Sequence, residues 1–108
     1  MGIIYKTEKH KGIPVFEVEG RICGEDALKI SRKLEDFVRE PFYEIILDLG
    51  SIDFIDSNWL GIFAYCIRIY RERKKRIIFI VKSEFVRGLL LNSNIDRLAT
   101  IANSFDAI

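Results

Sequence analysis

The pair Asp56-Ser57, an acid directly followed by a hydroxyl, is the part of this chain whose residue types and placement could carry chemistry. It sits in Asp53-Phe54-Ile55-Asp56-Ser57-Asn58-Trp59-Leu60-Gly61, between a short apolar run and a helical pattern. Asp and Ser both suit a helix N-cap, where a side-chain oxygen accepts a bond from a free backbone N–H. One reading is therefore a cap, worth about 1 kcal/mol. The other is a switch. A phosphate on Ser57 would add about two negative charges, which the helix N-terminus can hold without loss of the fold. A partner on that surface would then meet a strongly hydrated dianion and lose affinity.

Other reactive residues are scattered. His10 is the sole histidine, lies in a turn among lysines, and is expected to be solvated. With no second histidine, and with Cys23 and Cys66 far apart, no metal site is expected. The chain has neither a glycine-rich phosphate loop nor a G-x-S-x-G elbow. A Ser-His-Asp triad would have to recruit His10 from an edge turn. The expectation is a protein that is not an enzyme and needs no cofactor.

Composition narrows the partners. The chain has 108 residues, 49% of them apolar, with 17 basic and 16 acidic residues and a formal charge of +1. That length suits one core, so a single domain over residues 1–108 is expected. Balanced charge argues against nucleic acid or an anionic membrane as the main partner. No apolar stretch reaches the roughly 18 residues of a membrane span. Met1-Gly2-Ile3-Ile4-Tyr5-Lys6 also lacks the basic-then-apolar order of a leader. Both cysteines then read as reduced thiols, and the expected location is the cytoplasm.

The elements that must position Ser57 follow from periodicity. Ile3 to Lys9 reads as a strand, His10-Lys11-Gly12 as a turn, and Ile13 to Glu19 as the second strand of an edge hairpin. Glu25 to Glu40 carries Ala27, Leu28, Ile30, Leu34, Phe37 and Val38 near the helical period, with Pro41 just beyond. Glu44 to Leu49 and Arg76 to Val81 are apolar runs of the kind buried on both faces of a sheet.

Between those runs, a helix from Asp56-Ser57 to about Arg73 places Leu60, Phe63, Ala64, Ile67 and Tyr70 on one stripe. Ile62, Tyr65, Cys66 and Ile69 lie off that stripe, so broad coverage of the helix is expected. The alternative is an exposed patch for a partner or a second copy. The basic run Arg71, Arg73, Lys74, Lys75 and Arg76 reads as a solvated complement to the helix C-terminus. Ser83 should cap a third helix over Glu84 to Leu91, broken by Asn92-Ser93-Asn94. Leu98 to Ala102 reads as a last strand, and Ser104 as the start of a helical stub. The order β-β-α-β-α-β-α-β predicts an α/β fold with a mixed sheet of four to five strands and helices mainly on one face. Sites in such sheets collect at the carboxyl ends of strands, where Asp56-Ser57 falls.

Asp56-Ser57-Asn58-Trp59-Leu60-Gly61 resembles the D-S-[ST]-G-L-G motif of the STAS domain in anti-sigma factor antagonists. The likeness extends over nearly the whole chain. Val18-Glu19-Gly20-Arg21-Ile22 is similar to the strand and following G-x-[LI], and Ile45-Ile46-Leu47-Asp48-Leu49 to the strand before the motif. Ile77 to Val81, the helix from Glu84, and Asn92-Ser93-Asn94-Ile95 resemble the later strand, helix and S-G-[LI] turn. The resemblance implies a STAS-type fold and a regulatory protein. Ser57 would be phosphorylated by an anti-sigma factor that is also a serine kinase, and the unphosphorylated form would bind that kinase and free a sigma factor for transcription. Asp56, Asn58, Trp59 and Cys23 would flank Ser57 at the contact surface, and a weak homodimer is allowed.

The chain departs from the pattern at four positions. Cys23 stands where the family usually has an aspartate, Asn58 replaces the second hydroxyl, and Trp59 and Asn94 replace glycines. Asn is the next residue after glycine to tolerate a left-handed backbone. Trp59 admits three roles: a binding anchor, an obstacle to the usual kinase, or a ring folded back on the domain. The alternatives to the switch are a STAS module that senses a small ligand or nucleotide, motivated by Trp59 stacking on a ring and by the missing aspartate at Cys23, and an assembly domain.

Overall fold

The computed structural model describes residues 4–19 and 24–108. The elements are β1 (Ile4–His10), β2 (Ile13–Glu19), α1 (Gly24–Arg39), β3 (Glu44–Leu49), α2 (Ser57–Glu72), β4 (Arg76–Val81), α3 (Glu84–Asn92) and β5 (Thr100–Ala102). Single 3-10 turns occupy Ile95–Arg97 and Phe105–Ala107. The five strands form one mixed sheet in the order β1-β2-β3-β4-β5, antiparallel between β1 and β2 and parallel elsewhere. The expected start of the first strand at Ile3 lies outside the described residues.

Hydrophobic burial explains why these segments settle here. Ile45 to Leu49 and Ile77 to Val81 are buried along their length, as strands with both faces covered must be. Alternate side chains go to opposite faces. Leu47, Leu49, Phe79 and Val81 meet Leu34 of α1, Phe63 and Ile67 of α2, and Val86 and Leu90 of α3 in the larger core. Val15, Ile46, Ile78, Ile80 and Ala102 point the other way and pack beneath Ile13, Phe105 and Ile108. All three helices therefore cover one face, and the last turn of the chain helps close the other. Each fully buried Ile, Leu or Phe contributes roughly 1.5–3 kcal/mol.

Turn chemistry sets the boundaries. His10 pairs with Ile13, leaving Lys11 and Gly12 as a two-residue hairpin loop with φ of 52° and 81°. Positive φ at both positions matches the type I′ turn that suits the strand twist. The strand at the end is shorter than the expected Leu98 to Ala102. Leu98 N–H and Ala99 N–H both donate to the Ile95 carbonyl at 2.9 Å, so these residues close a turn instead of pairing with β4.

His10 is not the solvated side chain that its sequence context suggests. Its ring lies 4.7 Å from that of Phe105, and Nε2 is buried with no hydrogen-bond partner among the described residues. The cause is long-range: the last turn folds under the sheet and meets the end of β1, where the Lys11 ammonium also donates to the Ile108 carbonyl at 2.9 Å.

The expected broad coverage of α2 holds for Cys66, which is buried, and for Ile62 and Ile69, which pack against the core, but not for Tyr65 or for Ala64 of the expected stripe. Trp59, Phe63, Cys66, Ile67 and Tyr70 form the buried face of α2, whereas Gly61, Ala64, Tyr65 and Arg68 are exposed. Three helices on one face leave α2 flanked, not enclosed.

Candidate functional site

The segment between β3 and α2 is held from both ends. At the end of β3, Gly50 N–H donates to Asp48 Oδ1 at 2.8 Å, and Ile52 N–H to the Leu49 carbonyl at 3.0 Å. Ile52 and Ile55 then drop into the core with 1% and 2% exposure. Their burial pins a loop that would otherwise be loose, and Asp56 emerges extended at φ −98°, ψ 176°. Asp56 Oδ1 accepts the Trp59 N–H at 3.2 Å and so caps α2.

The structure thus divides the labour that sequence left open between the two residues. Asp56 is the cap, and Ser57 is the first residue of the helix, exposed beside Asn58. The cap does not draw on the Ser57 hydroxyl. A group added there would lie beside the unsatisfied N–H groups of the first turn, whose partial positive charge favours anions.

Trp59 does not join that surface. It is 0% exposed, its ring 5.4 Å from Phe63, which in turn meets Phe79 edge-on at 5.2 Å. Two positions on from an outward residue, a helix has turned by about 200°, so Trp59 faces the core when Ser57 faces out. This corrects the expectation of a contact residue or a stacking platform: the ring folds back on the protein. Its Nε1 is buried with no partner among the described residues, an uncompensated cost that the burial of the ring outweighs. Cys23 and the G-x-[LI] stretch Gly20-Arg21-Ile22 lie outside the described residues.

Cys66 is buried on the same side of α2. Burial, reinforced by the charge of Glu35, pushes its thiol up to about 12, so it stays protonated and unreactive at neutral pH. Among the described residues no group of three or more His, Cys, Asp or Glu could hold a metal ion.

One neighbour escaped sequence reasoning. Phe54, in the loop before α2, stacks on Phe85 of α3 at 5.9 Å with an interplanar angle of 6°. Phe85 is 52% exposed, so the pair presents an apolar edge near the carboxyl ends of β3 and β4. No periodicity links the two residues; only the parallel pairing of their strands brings them together. The cap of α3 does follow the sequence, with the Ser83 hydroxyl accepting from Val86 N–H at 3.2 Å.

Comparison with known proteins follows the same outline. The family model for the STAS domain matches residues 5–108. No curated protein sequence matches. Among solved structures, an anti-sigma factor antagonist from Mycobacterium paratuberculosis superposes with a TM-score of 0.85 at 19% identity, over 98% of this chain and 90% of that one. The unphosphorylated form of the anti-sigma factor antagonist SpoIIAA gives 0.76 at 19% identity, over 96% and 92%. The phosphorylated form of SpoIIAA, a Bacillus cell fate determinant, gives 0.72 at 18% identity, over 96% of each chain. At these identities the likeness is one of fold. No helix among the described residues is long and apolar enough to cross a membrane.

Proposed function

The chain belongs to the STAS domain family, and from that premise we propose that it is an anti-sigma factor antagonist switched at Ser57. In this reading the unphosphorylated protein binds an anti-sigma factor that is also a serine kinase, and so frees a sigma factor for transcription. The kinase phosphorylates Ser57 and the complex falls apart. The protein catalyses nothing; it is ligand and substrate in turn.

The observation that carries the reading is the exposure of Ser57 while Asp56 does the capping. A serine needed as a cap would be masked, and its modification would unravel the first turn. Here a phosphate changes the surface and leaves the helix start intact. A dianion at a helix N-terminus is favoured by about 0.3–1 kcal/mol, so the fold absorbs it. The partner must instead desolvate it or leave. The similarity to both forms of SpoIIAA supports a fold that tolerates such a change.

The ligand-sensing alternative loses the motive that Trp59 gave it, because the ring is inside the core and presents no face to a nucleotide. The test is intact-mass spectrometry with peptide mapping on protein from its own cells, together with binding of Ser57→Ala and Ser57→Asp to the kinase that co-purifies with it. Phosphate on Ser57, with binding kept by Ser57→Ala and lost by Ser57→Asp, is expected. An unmodified Ser57 and equal binding of both variants would overturn the proposal.

A further inference from the structure

We propose that the outward face of α2 is a docking groove for an acidic segment of the same partner, with Gly61 and Ala64 as its floor and Arg68 and Arg71 as its charge contacts. The inference rests on the antagonist reading above and extends it to the chemistry of the partner.

Gly61 raises the question. It lies inside α2, exposed, and a Cβ built on it would meet nothing within 4 Å. Glycine within a helix costs about 1 kcal/mol relative to alanine, and the fold gains no close packing in return. An absent side chain that helps nothing inside the molecule suits a close approach from outside.

The surroundings say what approaches. Gly61, Ala64, Tyr65, Arg68, Arg71 and Leu98 line an open groove of about 650 Å³. Tyr65 and Leu98 are 40% and 41% exposed, and offer apolar walls. The Arg68 guanidinium lies over the Tyr65 ring, 5.6 Å from its centre, which holds the charge beside the apolar wall. Against the two arginines, Glu72 supplies one lining carboxylate among the described residues. The groove is cationic with an apolar wall, so charge complementarity selects an acidic segment with apolar residues between its carboxylates.

The groove is also continuous with the switch. Ser57, Gly61, Ala64 and Arg68 follow one another at the i, i+4, i+7 and i+11 positions of a single helical face. At about 1.5 Å per residue, Ser57 and Arg68 are about 16 Å apart along the axis. That exceeds the Debye length of about 8 Å at physiological salt, so a phosphate on Ser57 does not neutralise the arginines. Gly61 is only about 6 Å along the axis from Ser57. A phosphate there meets the acidic segment where it crosses the floor and repels it as a like charge. Release then needs no change in fold.

The test places the photo-crosslinker p-benzoylphenylalanine at position 58, or at position 65 in place of the aromatic wall residue Tyr65, in the full chain expressed in its own cells. Captured peptides are identified by mass spectrometry. Capture at both positions, with the peptide from position 65 acidic and from the Ser57 kinase, is the expected result. Arg68→Glu combined with Arg71→Glu should weaken kinase binding by about tenfold, and more at low salt. Capture at 58 alone, or a neutral or basic peptide at 65, would overturn the groove and leave the Ser57 switch standing. Capture of the kinase at neither position would overturn both.

Discussion

Asp56 and Trp59 divide the start of α2 into an outer and an inner task. Asp56 accepts the Trp59 N–H, and Trp59 carries its ring into the core. Asp56→Ala should cost about 1 kcal/mol, read as a lower midpoint in urea denaturation, because the Trp59 N–H loses its side-chain acceptor and keeps only the Asp56 carbonyl at 3.2 Å. Ser57→Ala should leave that midpoint almost unchanged, since the cap does not use the hydroxyl. Trp59→Ala should cost about 3–5 kcal/mol through lost burial and the cavity left between α2 and β4. A change of less than about 1 kcal/mol on that substitution would contradict the buried ring.

At the scale of elements, α2 carries two local costs with different meanings. Its C-terminus has the two bonds of a Schellman motif, Lys75 N–H to the Tyr70 carbonyl at 2.7 Å and Lys74 N–H to the Arg71 carbonyl at 3.0 Å. The motif needs a left-handed residue, and Lys74 fills that place at φ 57° where glycine is usual. Lys74→Gly should therefore stabilise the protein by about 0.5–1 kcal/mol, seen as a higher melting temperature with binding unchanged. Gly61→Ala should add a similar 0.5–1 kcal/mol, since the methyl has room. Gly61→Leu should also fold, and should block the partner if the groove is its seat. The pair separates a glycine kept for contact from a lysine merely tolerated in a turn.

For the whole molecule, the closed core sets the response to pH. Cys66 and Tyr70 are buried on one face of α2, and burial pushes both up to about 12. Glu35 adds to the effect on the thiol, and Cys66 to that on the phenol. In the unfolded chain these groups ionise from about 9 to 10 upward, whereas the folded state keeps its protons longer. The unfolded state therefore binds fewer protons above pH 9, and stability should fall as pH rises from about 9 toward 12. Urea denaturation at pH 7, 9 and 10.5 should show a falling midpoint, and Cys66→Ala should flatten part of that slope. A midpoint independent of alkaline pH would mean that the two groups are open to water.

Sequence alone carried the strand and helix order, a cap within the Asp56-Ser57 pair and another at Ser83, and a left-handed backbone tolerated at Asn94, found at φ 60°. Each rests on local physics: periodicity of side chains, a short oxygen at a helix start, and the tolerance of asparagine for positive φ. The motif around Ser57 was legible for the same reason, being contiguous in the chain. What faces what was not. Trp59 fits an anchor and a core ring equally well until the sheet gives α2 an inner side, and His10 looks solvated until Phe105 returns beneath the sheet. The stack of Phe54 on Phe85 and the open face over Gly61 arise the same way, from segments distant in sequence. Local rules fix how a helix begins and ends, but its rotation about its own axis minimises exposed apolar area over the whole fold, and only tertiary packing decides that.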